Sequence, residues 1–277
     1  MDYRTIMVSL ALDQSNDACL AVAGDLAERF EARVVGIAAS DIRPTLYFAE
    51  GPYVQRVLED ESDALQKRLL ELETEFRASV TKRAKSVVWR SALTSPTPYV
   101  THHSRAADLL VVGARAETIV DPSAAIDPSD LMMQAGRPVI VVPPTVQWLD
   151  LRSVLVAWKD TRESRRAVFD ALPILAAAKE VTIAEIPERD VERATASSHL
   201  QGVAAWLDCH GISVNTIVPE TDTGDSTPKQ LDSIAAAVGA GAVIAGAYGH
   251  SRFREWILGG VTRHLTSESH RSAFLSR

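Results

Sequence analysis

Cysteine, aromatic residues, long apolar runs and basic excess are all scarce in this chain of 277 residues. Its two cysteines, Cys19 and Cys209, lie far apart in amphipathic segments. They read as small core residues, and nothing points to an oxidising compartment. No apolar run approaches the roughly 20 residues that span a bilayer. Met1-Asp-Tyr-Arg-Thr5 lacks the charged-then-apolar order of a secretion signal. A cytoplasmic protein with no membrane partner is therefore expected. The net charge of -7 works against nucleic-acid binding, which requires a basic field. Common catalytic signatures are missing as well: there is no Gly-x-x-x-x-Gly-Lys-Ser/Thr loop, no His-Glu-x-x-His and no Gly-x-Ser-x-Gly. His102 and His103 are adjacent in a helical stretch and point apart, which is poor metal-ligand geometry. Asp121, Asp127 and Asp130 lie in Asp-Pro and Ser-Asp contexts typical of turns and helix caps. No metal site is expected.

What the chain does contain is a repeat. Thr5–Leu10, Arg33–Ala39, Val87–Trp89, Asp108–Gly113 and Pro138–Val142 are short, β-rich, apolar runs of the kind buried on both faces of a sheet. Between them lie helical patterns at Ala18–Phe30, Tyr53–Ser79 and Pro96–Arg105, a spacing that predicts parallel strands with right-handed crossovers. After the stiff connector Pro143-Pro-Thr-Val-Gln-Trp148, the pattern restarts. Leu151-Arg-Ser-Val-Leu-Val-Ala157 matches Tyr3-Arg-Thr-Ile-Met-Val-Ser9 position by position. Glu163–Ala178, Val181–Ile186, Val191–Cys209, Ser213–Val218, Pro228–Val238, Ala242–Gly246 and Arg271–Ser276 complete a second copy. The chain is a duplication of one five-stranded α/β unit, divided at 146/147, with extra residues in the first copy around Ile42–Asp60.

The most informative stretch is Val243-Ile-Ala-Gly-Ala-Tyr-Gly-His250, continuing through Leu258-Gly-Gly-Val-Thr262. A buried strand here runs into two glycines, and a second glycine pair opens a helix. Gly246 and Gly249 allow positive φ or close backbone approach. Gly259 and Gly260 stand where a helix would present unpaired N–H groups to an anion. His250, Arg252, Arg254 and Arg263 add positive charge, unless they simply form a solvated helix face.

This pattern of Gly246, two residues, Gly249, nine residues, Gly259 and Gly260 resembles that of the universal stress protein family in its tandem, two-domain form. The resemblance extends over nearly the whole chain. It implies two flavodoxin-like domains, each an open five-stranded parallel sheet of order 3-2-1-4-5, docked through their last strands. It also implies an adenine nucleotide (ATP or AMP, the former with or without Mg²⁺) at the carboxyl ends of strands one and four of the second copy, where open α/β sheets generally bind ligands. The residues matching that site are Ala157, Trp158, Lys159, Asp160, Ile186, Gly246, Gly249, His250, Arg252, Gly259, Gly260, Val261 and Thr262. Three positions depart from the family. Gly260 replaces a Ser or Thr, Lys159 stands near the expected Asp with Asp160 beside it, and Trp158 would either stack on adenine or fill its pocket. The first copy departs further, because Gly113 leads into Ala-Arg-Ala-Glu117 without a second glycine; it is expected to be a structural partner.

No catalytic role is expected, beyond slow hydrolysis of bound ATP driven by cradle electrostatics alone. The competing reading is a stress-related interaction module that uses the same fold without a nucleotide. The two copies should form an intramolecular pseudo-dimer. That leaves a monomer, a homodimer and a complex with a protein partner all compatible with the sequence.

Overall fold

The structure, a computed structural model, describes residues 2–42, 52–115, 126–220, 224–247 and 260–277, apart from the side chains of residues 52–54 and 190. The chain divides by its contacts into Tyr3–Arg137 and a second unit comprising Met1–Asp2 with Pro138–Arg277.

The first unit contains β1 (Thr5–Ser9), α1 (Asp17–Phe30), β2 (Arg33–Ser40), α2 (Pro52–Val80), β3 (Ser86–Leu93), α3 (Pro96–Ser104), β4 (Leu109–Gly113) and α4 (Pro128–Ala135). Its strands are parallel, in the order β3-β2-β1-β4. Ile6, Val8, Val34, Ile37, Leu109 and Val111 are fully excluded from solvent, as expected for strands covered on both faces. Asp108 fixes the start of the β1–β4 pair, its Oδ2 accepting the N–H groups of Arg4 at 2.8 Å and Thr5 at 2.9 Å. Gly36 is a packing requirement. A Cβ there would lie 2.8 Å from the Trp89 ring and 2.9 Å from that of Phe76. Those two rings meet at 5.6 Å over the strand. Asp127 caps α4 by accepting the Ser129 N–H at 2.8 Å, in keeping with its reading as a cap residue.

The second unit contains β5 (Val139–Val142), β6 (Ser153–Trp158), α5 (Arg162–Asp170), α6 (Leu172–Ala177), β7 (Glu180–Glu185), α7 (Arg193–Asp208), β8 (Asn215–Ile217), α8 (Thr227–Ala237), β9 (Ala242–Gly246), α9 (Gly260–Ser267) and β10 (Ser272–Ser276). Its sheet runs β5-β10-β9-β6-β7-β8. All pairs are parallel except β10 with β5, which is antiparallel, Phe274 opposite Ile140.

Two sequence expectations meet the structure here. First, read by sequence copy, β8-β7-β6-β9-β10 has the expected parallel order 3-2-1-4-5. The first unit carries the β3-β2-β1-β4 part of the other copy, and the last strands β5 and β10 pair with each other as expected, in antiparallel sense. Only the grouping differs, with β5 falling in the second unit. Every residue of β5 and β10 is buried, so each strand needs partners for its backbone as well as cover for its faces. β10 obtains them by lying between β9 and β5. Copy membership follows sequence similarity, whereas strand pairing follows whichever backbone edge would otherwise be left unbonded. Second, the helix expected over Glu163–Ala178 is two helices. Pro173 lacks an N–H, so the chain breaks at Ala171 and restarts with proline in the first turn of α6. Among the described residues, no helix is long and apolar enough to cross a membrane.

Candidate functional site

β6 and β9 lie side by side in register, Leu155 opposite Val243 and Ala157 opposite Ala245. Their carboxyl ends therefore deliver Trp158 and Gly246 to one corner of the second unit. The sheet order reverses direction here, since the connection after β6 leads to β7 on one side while β9 lies on the other. Such switch points create a crevice at the strand ends.

Trp158 is 7% exposed, and its indole Nε1 has no hydrogen-bond partner among the described residues. Burying an N–H donor without an acceptor costs free energy, so this group marks the corner. Lys159 extends its ammonium to Glu188 Oε1 at 2.9 Å. Asp160 pairs with Arg165 at 2.6 Å. Thr161 begins α5, its hydroxyl accepting the Ser164 N–H at 3.3 Å. Behind these residues, His199 on α7 reaches Glu185 Oε1 at 3.1 Å through Nδ1 and lies 3.8 Å from Asp160 Oδ2 through Nε2. Burial raises the Glu185 carboxyl above its ordinary range, while His199 pulls in the opposite direction. Sequence reasoning missed Glu185 and His199. No motif joins them, and the packing of α7 against β7 brings them together.

Gly246 has a structural use of its own. A Cβ there would fall 2.4 Å from the Ser164 nitrogen and 2.5 Å from the Glu163 carbonyl carbon. Its φ is not left-handed, so close approach is what requires glycine, and the approaching group is the first turn of α5. Gly260 is the first residue of α9. Among the described residues, the nearest neighbour to an added Cβ is Pro228 Cγ at 3.7 Å. Val261 is half-buried and Thr262 buried in the first turn of α9. His264 faces Asp232 Oδ2 of α8 at 2.7 Å and Glu268 Oε2 at 3.2 Å, tying α9 to its neighbour. Ile186 is half-buried directly after β7. Gly249, His250, Arg252 and Gly259 lie outside the described residues, as does Arg254. The structure thus brings Ala157, Trp158, Lys159, Asp160 and Gly246 to the β6–β9 end of one unit. Among the described residues, no group of three or more His, Cys, Asp or Glu side chains is arranged to hold a metal ion.

The matching corner of the first unit encloses about 20 Å³ between Ser9, Leu10, Ala39, Pro96, Val112 and Gly113. That is room for about one water molecule.

The chain aligns over 99% of its length with the crystal structure of a universal stress protein from Archaeoglobus fulgidus DSM 4304, covering 96% of that protein with a TM-score of 0.72 at 16% identity. The fold is that of a universal stress protein. A protein from Pseudomonas aeruginosa UCBPP-PA14, named as a candidate universal stress protein, shares that fold at TM-score 0.62 and 14% identity, over 99% of this chain and 93% of its own. A functionally unknown protein from Pseudomonas aeruginosa PAO1 does so at 0.60 and 14%, over 99% and 92%. No protein-family model and no curated protein sequence matches the chain. Within the universal stress protein fold, the β6–β9 corner is where strand order and helix N-termini converge in the second repeat.

Proposed function

We propose that this chain is a cytoplasmic universal stress protein whose second repeat holds an adenine nucleotide, ATP with or without Mg²⁺, across the carboxyl ends of β6 and β9. Its occupancy would alter contacts with a protein partner. The observation that carries this reading is the buried indole N–H of Trp158 at the switch point, which finds no acceptor among the described residues. A heterocyclic base offers both an acceptor for that N–H and a face for an indole to stack against. The start of α9 at Gly260 adds free backbone N–H groups and the positive end of a helix dipole, which favour phosphate. With Gly246 occupied by α5, the phosphate contacts would fall to Gly249, His250, Arg252, Gly259, Gly260, Val261 and Thr262.

The role proposed is regulatory, not catalytic. The acids beside β6 are already engaged by arginines: Asp160 by Arg165 and Glu163 by Arg162 at 2.5 Å. A carboxylate held by a cation is a weak base for activating water.

A second reading, an interaction module that takes no nucleotide, is favoured by two specific contacts. The first turn of α5 fills the space over Gly246, and Lys159 extends to Glu188. The two readings separate on small molecules released from freshly purified native protein. Mass spectrometry should find an adenine nucleotide in stoichiometric amount if the first holds. A protein that releases none and gives no heat with MgATP belongs to the second.

A further inference from the structure

The first repeat carries a helix longer than the fold requires. α2 has 29 residues, whereas α7, its counterpart in the second repeat, has 16. The buried positions of α2 begin at Leu69 and continue with Leu72, Phe76 and Val80, the spacing of a core-facing stripe. From Gln55 to Arg68 no residue of the helix is buried. This arm is at most half-buried among the described residues, and a helical segment of its length gains little stability without packing. Glu59, Asp60, Glu61 and Asp63 stand against Arg56, Lys67 and Arg68, and Arg68 is already engaged by Glu71 and Glu75 further along the helix. None of those four acids has an ion-pair partner among the described residues.

The same unit presents the opposite charge elsewhere. Arg90 on β3 and His102, His103 and Arg105 at the end of α3 converge with no acid among them. His103 is held below its ordinary range by burial, and further by the charges of Arg90, His102 and Arg105. Tyr99 packs edge-on against the His103 ring at 4.7 Å, and His102 does so at 5.1 Å. Neither Arg90 nor Arg105 has an ion-pair partner among the described residues. Arg90 and Arg105 thus place positive charge on an acidic chain, with no acid paired to either among the described residues.

The two patches belong to opposite faces. Right-handed crossovers put α1 and α2 on one face of the sheet and α3, whose connection runs back from β3 to β4, on the other. Consistently, α1 packs with α2 and α3 with α4. The arm of one chain therefore cannot cover its own basic patch, but it has the charge to cover that of another.

We propose that the acidic arm of α2 docks on the Arg90–His102–His103–Arg105 patch of a second copy of this chain. Because donor and acceptor surfaces differ, the contact is head-to-tail, and assembly grows with concentration instead of stopping at a symmetric pair. Built from exposed charges, it is weak and salt-sensitive.

Sedimentation of the full chain tests this, in a series reaching roughly 0.3 mM, a range that detects contacts weaker than micromolar. At ionic strength of about 0.01 M, where screening extends over about 30 Å, the average mass should rise with concentration. Near 1 M, where it extends over about 3 Å, the chain should be monomeric. Arg90→Glu with Arg105→Glu, and separately Asp60→Lys with Asp63→Lys, should each weaken association at least tenfold. All four positions are exposed, so both variants should keep the wild-type melting curve. Mixing the two variants should restore association, because the reversed charges complement each other. A monomeric wild type, association that survives high salt, unchanged variants, or a mixture that fails to recover would each overturn the proposal. So would binding of inorganic tripolyphosphate to the patch of a chain that stays monomeric, which would make it a small-anion site.

Discussion

Replacing Gly246 with alanine separates packing from ligand binding at the central corner. The new methyl would lie 2.4 Å from Ser164 N, 2.5 Å from Glu163 C and 2.8 Å from Ser164 Cα. Carbon contacts are comfortable at about 3.5–4.0 Å, so the shortfall is about 1 Å. The obstructing atoms are helix backbone and cannot rotate away as a side-chain tip would. Forcing an extra methyl into a packed site typically costs about 1–3 kcal/mol. For a unit of this size, each kcal/mol lowers the melting midpoint by about 2–4 °C. Gly246→Ala should therefore melt several degrees below wild type by circular dichroism, in the absence of any nucleotide. Gly260→Ala is the control. Among the described residues its methyl would meet nothing closer than Pro228 Cγ at 3.7 Å, and alanine is preferred over glycine in a helix by up to about 1 kcal/mol. Its midpoint should be unchanged or higher. If Gly246→Ala melts with wild type, or the two variants lose stability equally, the packing account of Gly246 is wrong.

Other expectations follow from burial and titration. Truncation after Arg271 removes Ala273, Phe274 and Leu275, none more than 2% exposed, and leaves β5 and β9 without their shared partner; an unchanged denaturant midpoint would contradict the pairing. Loss of the Phe274 ring alone, as Phe274→Ala, should cost about 3–5 kcal/mol. Burial pushes the Cys19 thiol up to about 12, whereas Cys209, expected from the sequence to be a core residue, is exposed at the end of α7. A disulfide reagent at neutral pH should label Cys209 at once and Cys19 only on unfolding, so two fast thiols would refute the placement of α1. Glu185 is raised above its ordinary 4.5 in the folded chain. Its protonated form favours folding, and that contribution fades as pH rises from about 4.5 through the folded value. Glu185→Gln should flatten stability across that window, and parallel pH profiles of variant and wild type would count against the assignment.

Much of the architecture was legible in the sequence because its signals are local. Strands buried on both faces read as unbroken apolar runs, and the match of Tyr3–Ser9 to Leu151–Ala157 exposes the duplication without any structural knowledge. The switch point at β6 and β9 followed from that repeat. What could not be read was information carried by partners distant in the chain. The pairing of β5 with β10 was expected from the resemblance, and the structure shows it, but nothing near Val139 or Phe274 announces it locally, since both segments are simply apolar. Gly246 looks the same whether a phosphate or a helix backbone approaches it; only the position of Ser164 decides that α5 does. Glu185 and His199 meet through helix packing, and neither has a local signature. The break between α5 and α6 was visible as Pro173, but the apolar periodicity running through it masked the interruption.

The most direct test of the nucleotide site is titration calorimetry of the intact, nucleotide-stripped protein with MgATP, wild type beside Trp158→Phe. Phenylalanine preserves most of the buried apolar bulk and removes the unpartnered N–H. Saturable one-to-one binding by the wild type, weakened in Trp158→Phe while both proteins melt alike, is the expected result. Absence of heat from the wild type, together with no adenine nucleotide released from the native protein, would contradict the account and leave the corner to packing alone.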